Sequence, residues 1–269
     1  NPMNFHQVSQ INLSPDFIEC IVFWTKNAVP FMDYLEELNR MGYMYMFQYT
    51  ITPYDNTLEK NISDKSDIIK NVLELSEKIE KKRIVWRYDP ILLNDTYTVN
   101  RHIELFEEMC SLLYTAVNHV VISFIDLYQK NRGYRLYELS TDEITHLAQA
   151  FGEIGAKYKL PIKTCCENYD LTKFGITKGA CIDSVLLEEI CNRPLLLKKA
   201  TGQRKNCLCA ESVDIGAYHT CLNGCIYCYA TDYKRLKTKQ KCYDKNSQIL
   251  CDKLDFGKDI IKVRKMKKL

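Results

Sequence analysis

Short apolar runs alternate with longer amphipathic segments along most of the chain, and this alternation constrains the fold more than any other feature. The apolar runs are rich in β-branched and aromatic residues, which predicts buried strands. The amphipathic segments carry apolar residues at helical spacing, which predicts helices. The predicted strands are 20–25, 43–51, 83–91, 119–126 and 160–164, and the predicted helices are 31–42, 64–82, 100–114 and 140–158.

Regular alternation of strand and helix is typical of a parallel α/β sheet. The strands are apolar on both faces, as in a sheet that is covered on both sides or closed into a barrel. Five strand–helix units favour a full or partial (β/α) TIM-like barrel. We expect residues 1–230 to form this barrel with a terminal cysteine loop, and residues 231–269 to form a basic extension packed on it.

Polar side chains follow each predicted strand. In a (β/α) barrel the active site lies at the carboxyl ends of the strands, so these side chains are candidates for binding a cofactor or substrate. An internal ion pair between Arg87 and Asp89 is an equally good interpretation of those two, and Lys26 has the same ambiguity. The candidates are Thr25, Lys26, Asn27, Gln48, Arg87, Asp89, Ser123, Asp126 and Glu167.

The stretch "TCLNGCIYCYA", residues 220–230, places Cys221, Cys225 and Cys228 on one compact loop. Gly224 allows the sharp turn that would point the thiols inward. Three thiolates would leave one iron of a 4Fe–4S cluster without a protein ligand, whereas structural zinc requires a fourth ligand. The preceding residues 212–220 include a short predicted strand, so these cysteines are expected just past a strand end.

Four further cysteines lie between the fifth predicted strand and this loop, and they could hold a second, fully ligated 4Fe–4S cluster. Zinc is the alternative for such soft thiolate donors, and Cys166 could replace the first of the four. The chain has 13 cysteines and no visible export signal, which argues against a disulfide framework. The four cysteines are Cys165, Cys181, Cys207 and Cys209.

Charge is unevenly distributed, although the net charge is only +3. From residue 195 to the carboxyl terminus, Lys and Arg outnumber Asp and Glu 17 to 7. Such a segment fits either a polyanionic partner or a solvated, Lys-rich helix. No membrane span and no signal peptide are visible, so we expect a cytoplasmic protein. The first residue is not Met, and we expect further residues upstream.

The C-x3-C-x2-C spacing, with the aromatic Tyr227 before the third cysteine, resembles the cluster motif of the radical S-adenosylmethionine superfamily. The resemblance implies a 4Fe–4S cluster whose open iron binds the amino and carboxylate groups of S-adenosylmethionine. It also implies reductive cleavage of that cofactor to a 5′-deoxyadenosyl radical, which abstracts hydrogen from a substrate. An electron donor such as flavodoxin or ferredoxin would be a partner, and Tyr227 would lie at the cofactor site.

Over nearly its whole length the chain also resembles a bacterial family defined by domain of unknown function 1848. The matching stretches are "VFWTKN", "WRYDPILL", "ISFID", "TCCE", "CID", "CLCAESVDIGAY" and "TCLNGCIYCYA". That family is similar to the spore photoproduct lyase group, with the cluster motif moved to the carboxyl-terminal end. The resemblance implies a circularly permuted barrel and favours a nucleic-acid substrate, although a peptide or small molecule stays open.

Two interpretations from other functional classes remain. One is a non-catalytic zinc or iron–sulfur nucleic-acid-binding protein, and the other is an electron-transfer protein with two clusters. Both require a fully ligated metal at the cysteine loop, where His219 is the nearest additional donor in sequence.

Overall fold

A six-stranded parallel sheet forms the centre of the molecule. The computed structural model describes residues 6–128, 131, 133–266 and 268. The strands are β1 (Gln7–Gln10), β2 (Ile21–Thr25), β3 (Tyr45–Thr50), β4 (Ile84–Ile91), β5 (Val120–Phe124), β6 (Ile162–Cys165), β7 (Ile176–Gly179) and β8 (Ile260–Val263). The helices are α1 (Val29–Met32), α2 (Leu35–Arg40), α3 (Lys65–Ile79), α4 (Val99–Leu113), α5 (Thr141–Tyr158), α6 (Ser184–Cys191) and α7 (Tyr233–Lys241).

The strands of the central sheet follow one another in chain order, from β2 at one edge to β7 at the other. Every neighbouring pair is parallel, so the carboxyl ends of all six strands lie along the same edge of the sheet. Helices occupy the crossovers from β2 through β6, as parallel pairing requires a long connection. This arrangement confirms the predicted parallel α/β sheet.

Both faces of the sheet are covered, which explains the nearly continuous apolar runs. Alternate strand residues point to opposite faces. Tyr45 and Phe47 belong to the larger core, which also contains the apolar faces of α2 to α5. Met46 and Val85 belong to a second core that includes Leu186 and other apolar residues of α6.

Local sequence signals account for several element boundaries. Ser140 and Glu143 form the predicted capping box at the start of α5. The side chain of each residue accepts a hydrogen bond from the backbone amide of the other. Gly42 adopts a φ of 85°, which favours glycine, and it follows the end of α2 as predicted. The predicted helix 31–42 is instead two short helices, α1 and α2, separated at residues 33–34.

One predicted short strand is absent, and two short elements were not predicted. Residues 212–220 contain no strand, because the Asp214 carboxylate accepts from the Gly216 amide and closes a local turn. β7 was not predicted, since "ITKG" is short and carries Lys and Gly, and α6 was not predicted either. The cysteine loop therefore does not follow a strand of its own.

The two chain ends meet in a separate two-stranded parallel sheet, in which Gln7 pairs with Ile260 and Gln10 with Val263. Much of the 231–269 segment is exposed, including all of β8. Among the residues that the structure describes, none of the helices combines the length and the apolar character needed to cross a membrane.

Candidate metal and cofactor site

The cysteine loop lies against the carboxyl-terminal side of β3, where it pairs with the β3–α3 connection. The Ile226 amide donates to the Leu58 carbonyl at 2.9 Å, and the Asn61 amide donates to the Asn223 carbonyl at 3.1 Å. Cys225 forms an antiparallel bridge with Glu59. These backbone contacts place the loop at the strand ends, although it is far from them in sequence.

Glu59 is the buried centre of this contact. Its carboxylate accepts from Lys26 Nζ at 2.8 Å, from Lys65 Nζ at 2.5 Å and from Thr52 Oγ1 at 2.6 Å. The Tyr227 hydroxyl also donates to it. Burial acts to raise the pKa of Glu59, but the two lysines outweigh it and hold that pKa below its usual value. The carboxylate is therefore ionised at neutral pH.

Tyr227 connects the cysteine loop to the buried residues beneath it. Its ring packs edge-on against Tyr54, with centroids 5.6 Å apart, and Lys26 Nζ lies 5.9 Å from its centroid. Asn131 supports the same turn, because its Nδ2 donates to the Ile226 carbonyl at 2.7 Å. The predicted Lys26 and Tyr227 thus meet at one place, with β2 and the β3–α3 connection on one side and the cysteine loop on the other.

The three thiols differ in exposure: Cys221 is exposed, whereas Cys225 and Cys228 are partly buried. The Cys228 amide donates to the Cys225 carbonyl at 3.2 Å, which closes the turn between them. Burial raises the pKa of Cys225 to about 11, with Lys26 acting in the opposite direction. Burial also raises the pKa of Tyr233, and nearby groups that include all three of these thiols add to it. The hydrogen-bonded turn places Cys225 and Cys228 close together, and Cys221 precedes them on the same loop.

Gly224 permits the close approach of the loop to its support. Its φ of 72° is unfavourable for other residues, and an added Cβ would lie 3.1 Å from Asn61 Nδ2 and 3.2 Å from Lys60 Cβ. The Asn61 side chain in turn donates to the Leu222 carbonyl at 2.6 Å. Close packing at Gly224 and the hydrogen bond to Leu222 thus both hold the turn that carries the cysteines.

No three His, Cys, Asp or Glu side chains within the described ranges already surround a point where one metal ion would sit. A 4Fe–4S cluster binds each thiolate at a different iron, so its ligands surround a volume rather than meet at a point. The donor set of three soft thiols on a fixed turn fits such a cluster. His219 is a poorer fourth ligand than its sequence position indicates, because its Nδ1 accepts from the Asp232 amide at 3.0 Å.

A second polar group lies at the ends of β3, β4 and β5. Arg87 is buried, pairs with Asp89 and donates through Nη1 to Gln48 Oε1 at 3.3 Å. Ser123 Oγ donates to the Asp89 carboxylate at 2.7 Å. Burial acts to lower the pKa of Arg87, but Asp89 and the thiols of Cys181 and Cys165 raise it. The predicted ion pair is present, and it lies within a larger polar group at the strand ends.

Three cysteines of the predicted second set, Cys165, Cys181 and Cys209, lie close to one another, and Cys207 is two residues from Cys209. The Sγ atoms of Cys165 and Cys181 are 2.9 Å apart, and the Cys181 amide donates to Cys209 Sγ at 3.2 Å. Burial raises the pKa of Cys207, and its neighbour Cys209 also affects it. Cys166 has a φ of 58° and lies near Cys207 rather than in the contact between Cys165 and Cys181.

The remaining predicted residues make more local contacts. Thr25 and Asn27 hydrogen-bond to each other, and Asn27 Oδ1 accepts from the Val29 amide, so both shape the turn into α1. Asp126 is exposed and pairs with Arg204 at 2.9 Å. Glu167 accepts from the Phe124 amide, and burial raises its pKa to about 7.

Glu59, Thr52, Lys65 and Asn131 were not predicted as part of the site. Glu59 and Lys65 flank the start of α3, where charged residues are ordinary. The available signal was Lys26, a lysine directly after a predicted strand, where a largely buried amine would need an acidic partner. No pattern in the sequence indicated which of the acidic residues would supply it.

Comparison with known proteins identifies a family for this chain. No curated protein sequence matches the chain. A family model described as domain of unknown function, DUF1848, matches residues 1–230. This range includes the central sheet, both groups of cysteines and the residues that anchor the cysteine loop. The chain therefore belongs to the DUF1848 family.

Proposed function

We propose that this protein is a radical S-adenosylmethionine enzyme in which Cys221, Cys225 and Cys228 hold a 4Fe–4S cluster. One observation carries the proposal: the C-x3-C-x2-C loop is fixed at the carboxyl ends of parallel strands. In α/β proteins ligands bind at that end of the strands. When bound and reduced, the cluster would supply the electron that cleaves S-adenosylmethionine to a hydrogen-abstracting radical.

We further propose that the central sheet is the wall of a partial (β/α) barrel that is circularly permuted relative to the superfamily. Sequential strand order supports this, because each strand lies beside its predecessor as in a barrel. The shared core of α2 to α5 on one face supports it as well. In a permuted chain, the strand order in space is kept while the cluster motif moves to the carboxyl-terminal side.

Two polar groups would divide the work of binding. Lys26 and Tyr227 lie at the cysteine loop, and Lys26 brings positive charge next to Cys225. Gln48, Arg87, Asp89, Ser123 and Glu167 lie at neighbouring strand ends. We assign the first group to the cluster and cofactor and the second to the substrate, with Thr25, Asn27 and Asp126 shaping the surrounding loops.

The partners follow from the chemistry and the charge. Reduction of the cluster requires an electron donor such as a flavodoxin or ferredoxin. The basic residues of α7 and the following segment favour a nucleic-acid substrate, because they could contact phosphates. The same charge favours the alternative function, a non-catalytic zinc or iron–sulfur nucleic-acid-binding protein, which requires no open iron.

The deciding experiment is electron paramagnetic resonance of the anaerobically reconstituted, dithionite-reduced protein, with and without S-adenosylmethionine. We expect the cofactor to change one cluster signal, and we expect Cys225→Ser to abolish that signal. Cys242→Ser is the matched control, since Cys242 lies at the end of α7 and outside both cysteine groups. A loop cluster whose signal ignores the cofactor, or a loop that binds only zinc, would favour the binding protein.

A further inference from the structure

We propose that Cys165, Cys181, Cys207 and Cys209 form a second metal centre, separate from the cysteine loop. The four thiolates would bind a thiophilic metal, either as an iron–sulfur cluster or as a zinc ion. The proposal concerns a different set of residues from the cofactor site, so it stands whether or not the protein cleaves S-adenosylmethionine.

The fold brings Cys165, Cys181 and Cys209 together from three separate stretches of chain, and Cys207 lies two residues before Cys209. Cys165 is the last residue of β6 and pairs in register with Gly179, the last residue of β7. Cys181 therefore lies at the neighbouring strand end. The segment carrying Cys209 is tied to the same place, because the Ala210 amide donates to the Ile182 carbonyl at 2.9 Å.

Hydrogen-bond donors surround the sulfur atoms. Arg87 Nη1 donates to Cys181 Sγ at 3.1 Å, and the Cys181 amide donates to Cys209 Sγ at 3.2 Å. Cationic and amide donors stabilise thiolates, which are the form that binds metal. Cys110 shows the contrast, because it is buried in the main core together with the apolar residues Phe106 and Leu113.

The separation of the thiols is compatible with metal binding after a small movement. In a tetrahedral thiolate site with bonds of about 2.3 Å, sulfurs lie roughly 3.8 Å apart. Cys165 Sγ and Cys181 Sγ are 2.9 Å apart, so rotation of the two side chains must widen this separation before a metal can bind between them. A cluster would require a wider opening than a single ion.

The first test is the metal content of the full-length protein, loaded anaerobically with iron and sulfide or, separately, with zinc. Four proteins are compared: wild type, Cys181→Ser, Cys225→Ser and the control Cys242→Ser. We expect Cys181→Ser to lose one metal centre and to keep any cluster signal that responds to S-adenosylmethionine. We expect Cys225→Ser to lose the other centre. The iron and zinc arms identify which metal the second centre retains.

The second test uses the wild-type protein, so it does not depend on a variant that folds. Cysteine alkylation is mapped by mass spectrometry before and after metal loading. We expect Cys165, Cys181, Cys207 and Cys209 to become protected together, and to react again after chelation, while Cys242 reacts throughout. A metal content unchanged by Cys181→Ser in a protein with a native circular dichroism spectrum would overturn the proposal. So would alkylation of the four cysteines in the loaded protein, or a Cys165–Cys181 disulfide that persists after loading.

The two proposals fail separately. If no cluster signal responds to S-adenosylmethionine but the four cysteines are protected, only the proposed enzymatic function is contradicted. If the loop cluster responds to S-adenosylmethionine but the four cysteines still react with the alkylating reagent, only the proposal of a second metal centre is contradicted.

Discussion

The Tyr227 hydroxyl donates a hydrogen bond to the buried carboxylate of Glu59, which lies 168 residues earlier in the chain. Lys26 and Lys65 form ion pairs with the same carboxylate. One acidic residue thereby connects the end of β2, the start of α3 and the cysteine loop. The position of the three thiols depends on this contact, so its energetics can be tested without any metal.

Replacing Tyr227 with Phe removes the hydroxyl and keeps the ring that packs on Tyr54. We expect the free energy of unfolding to fall by about 2 kcal/mol, because the lost bond is made to a charged, buried group. Urea denaturation of the metal-free protein measures this. Tyr243→Phe is the control, since Tyr243 is 63% exposed, and it should change stability by less than about 0.5 kcal/mol. Equal stabilities for the two variants would contradict the role of the hydroxyl.

Replacing Glu59 with Gln leaves Lys26 and Lys65 without their acidic partner. We expect a loss of about 3–5 kcal/mol, as is usual when one member of a buried ion pair is removed. The control is Glu74→Gln. The Glu74 side chain is 47% exposed and lies 4.0 Å from Lys70 Nζ, so this weak surface ion pair should contribute little to stability. Thermal and urea unfolding compare the two. A Glu59→Gln protein as stable as the control would show that this network contributes nothing.

His102 makes stability depend on pH. Its Nε2 donates to the Leu92 carbonyl, so its Nδ1 accepts from the Tyr88 hydroxyl, and each distance is 2.8 Å. Burial lowers its pKa to about 4, from an ordinary value near 6.5. The folded state therefore binds this proton less readily than the unfolded state, and stability is lost as pH falls below about 6.5.

We expect the wild type to lose about 3 kcal/mol more than His102→Gln between pH 7 and pH 4. Urea denaturation at several pH values gives the comparison, and the difference between the two proteins should level off below pH 4. His146→Gln serves as the control for loss of a histidine. Parallel pH profiles for wild type and His102→Gln would rule out this assignment.

The reactivity of Cys225 should report on Lys26. Burial raises the pKa of this thiol to about 11, and the Lys26 ammonium opposes the increase. In metal-free Lys26→Ala, we expect alkylation of Cys225 to slow at a given pH and to require a higher pH for the same rate. Mass spectrometry at several pH values follows it, with Lys70→Ala as the control. An unchanged Cys225 profile beside a normal Cys242 profile would mean that Lys26 does not act on the thiol.

Local sequence signals determined much of the fold. Apolar runs on the scale of single strands predicted five of the six strands of the central sheet, and the capping box at Ser140 predicted the start of α5. These signals arise from residues that are close together in the sequence, because an apolar run or a capping box is formed within a few consecutive residues. The C-x3-C-x2-C motif is of the same kind, because its spacing is local.

Tertiary structure alone decided what surrounds the motif. β7 was missed because four residues with Lys and Gly have little intrinsic preference for a strand, and the neighbouring β6 stabilises the pairing. Glu59 became the partner of Lys26 and Tyr227 because parallel pairing aligns strand ends that are far apart in sequence. The sequence by itself determined five strands of the central sheet, the start of α5 and the grouping of the three loop thiols, since those depend on local spacing. Which side chains meet at the strand ends was decided by packing, since burying a charge is favourable only where a partner of opposite charge is brought to it.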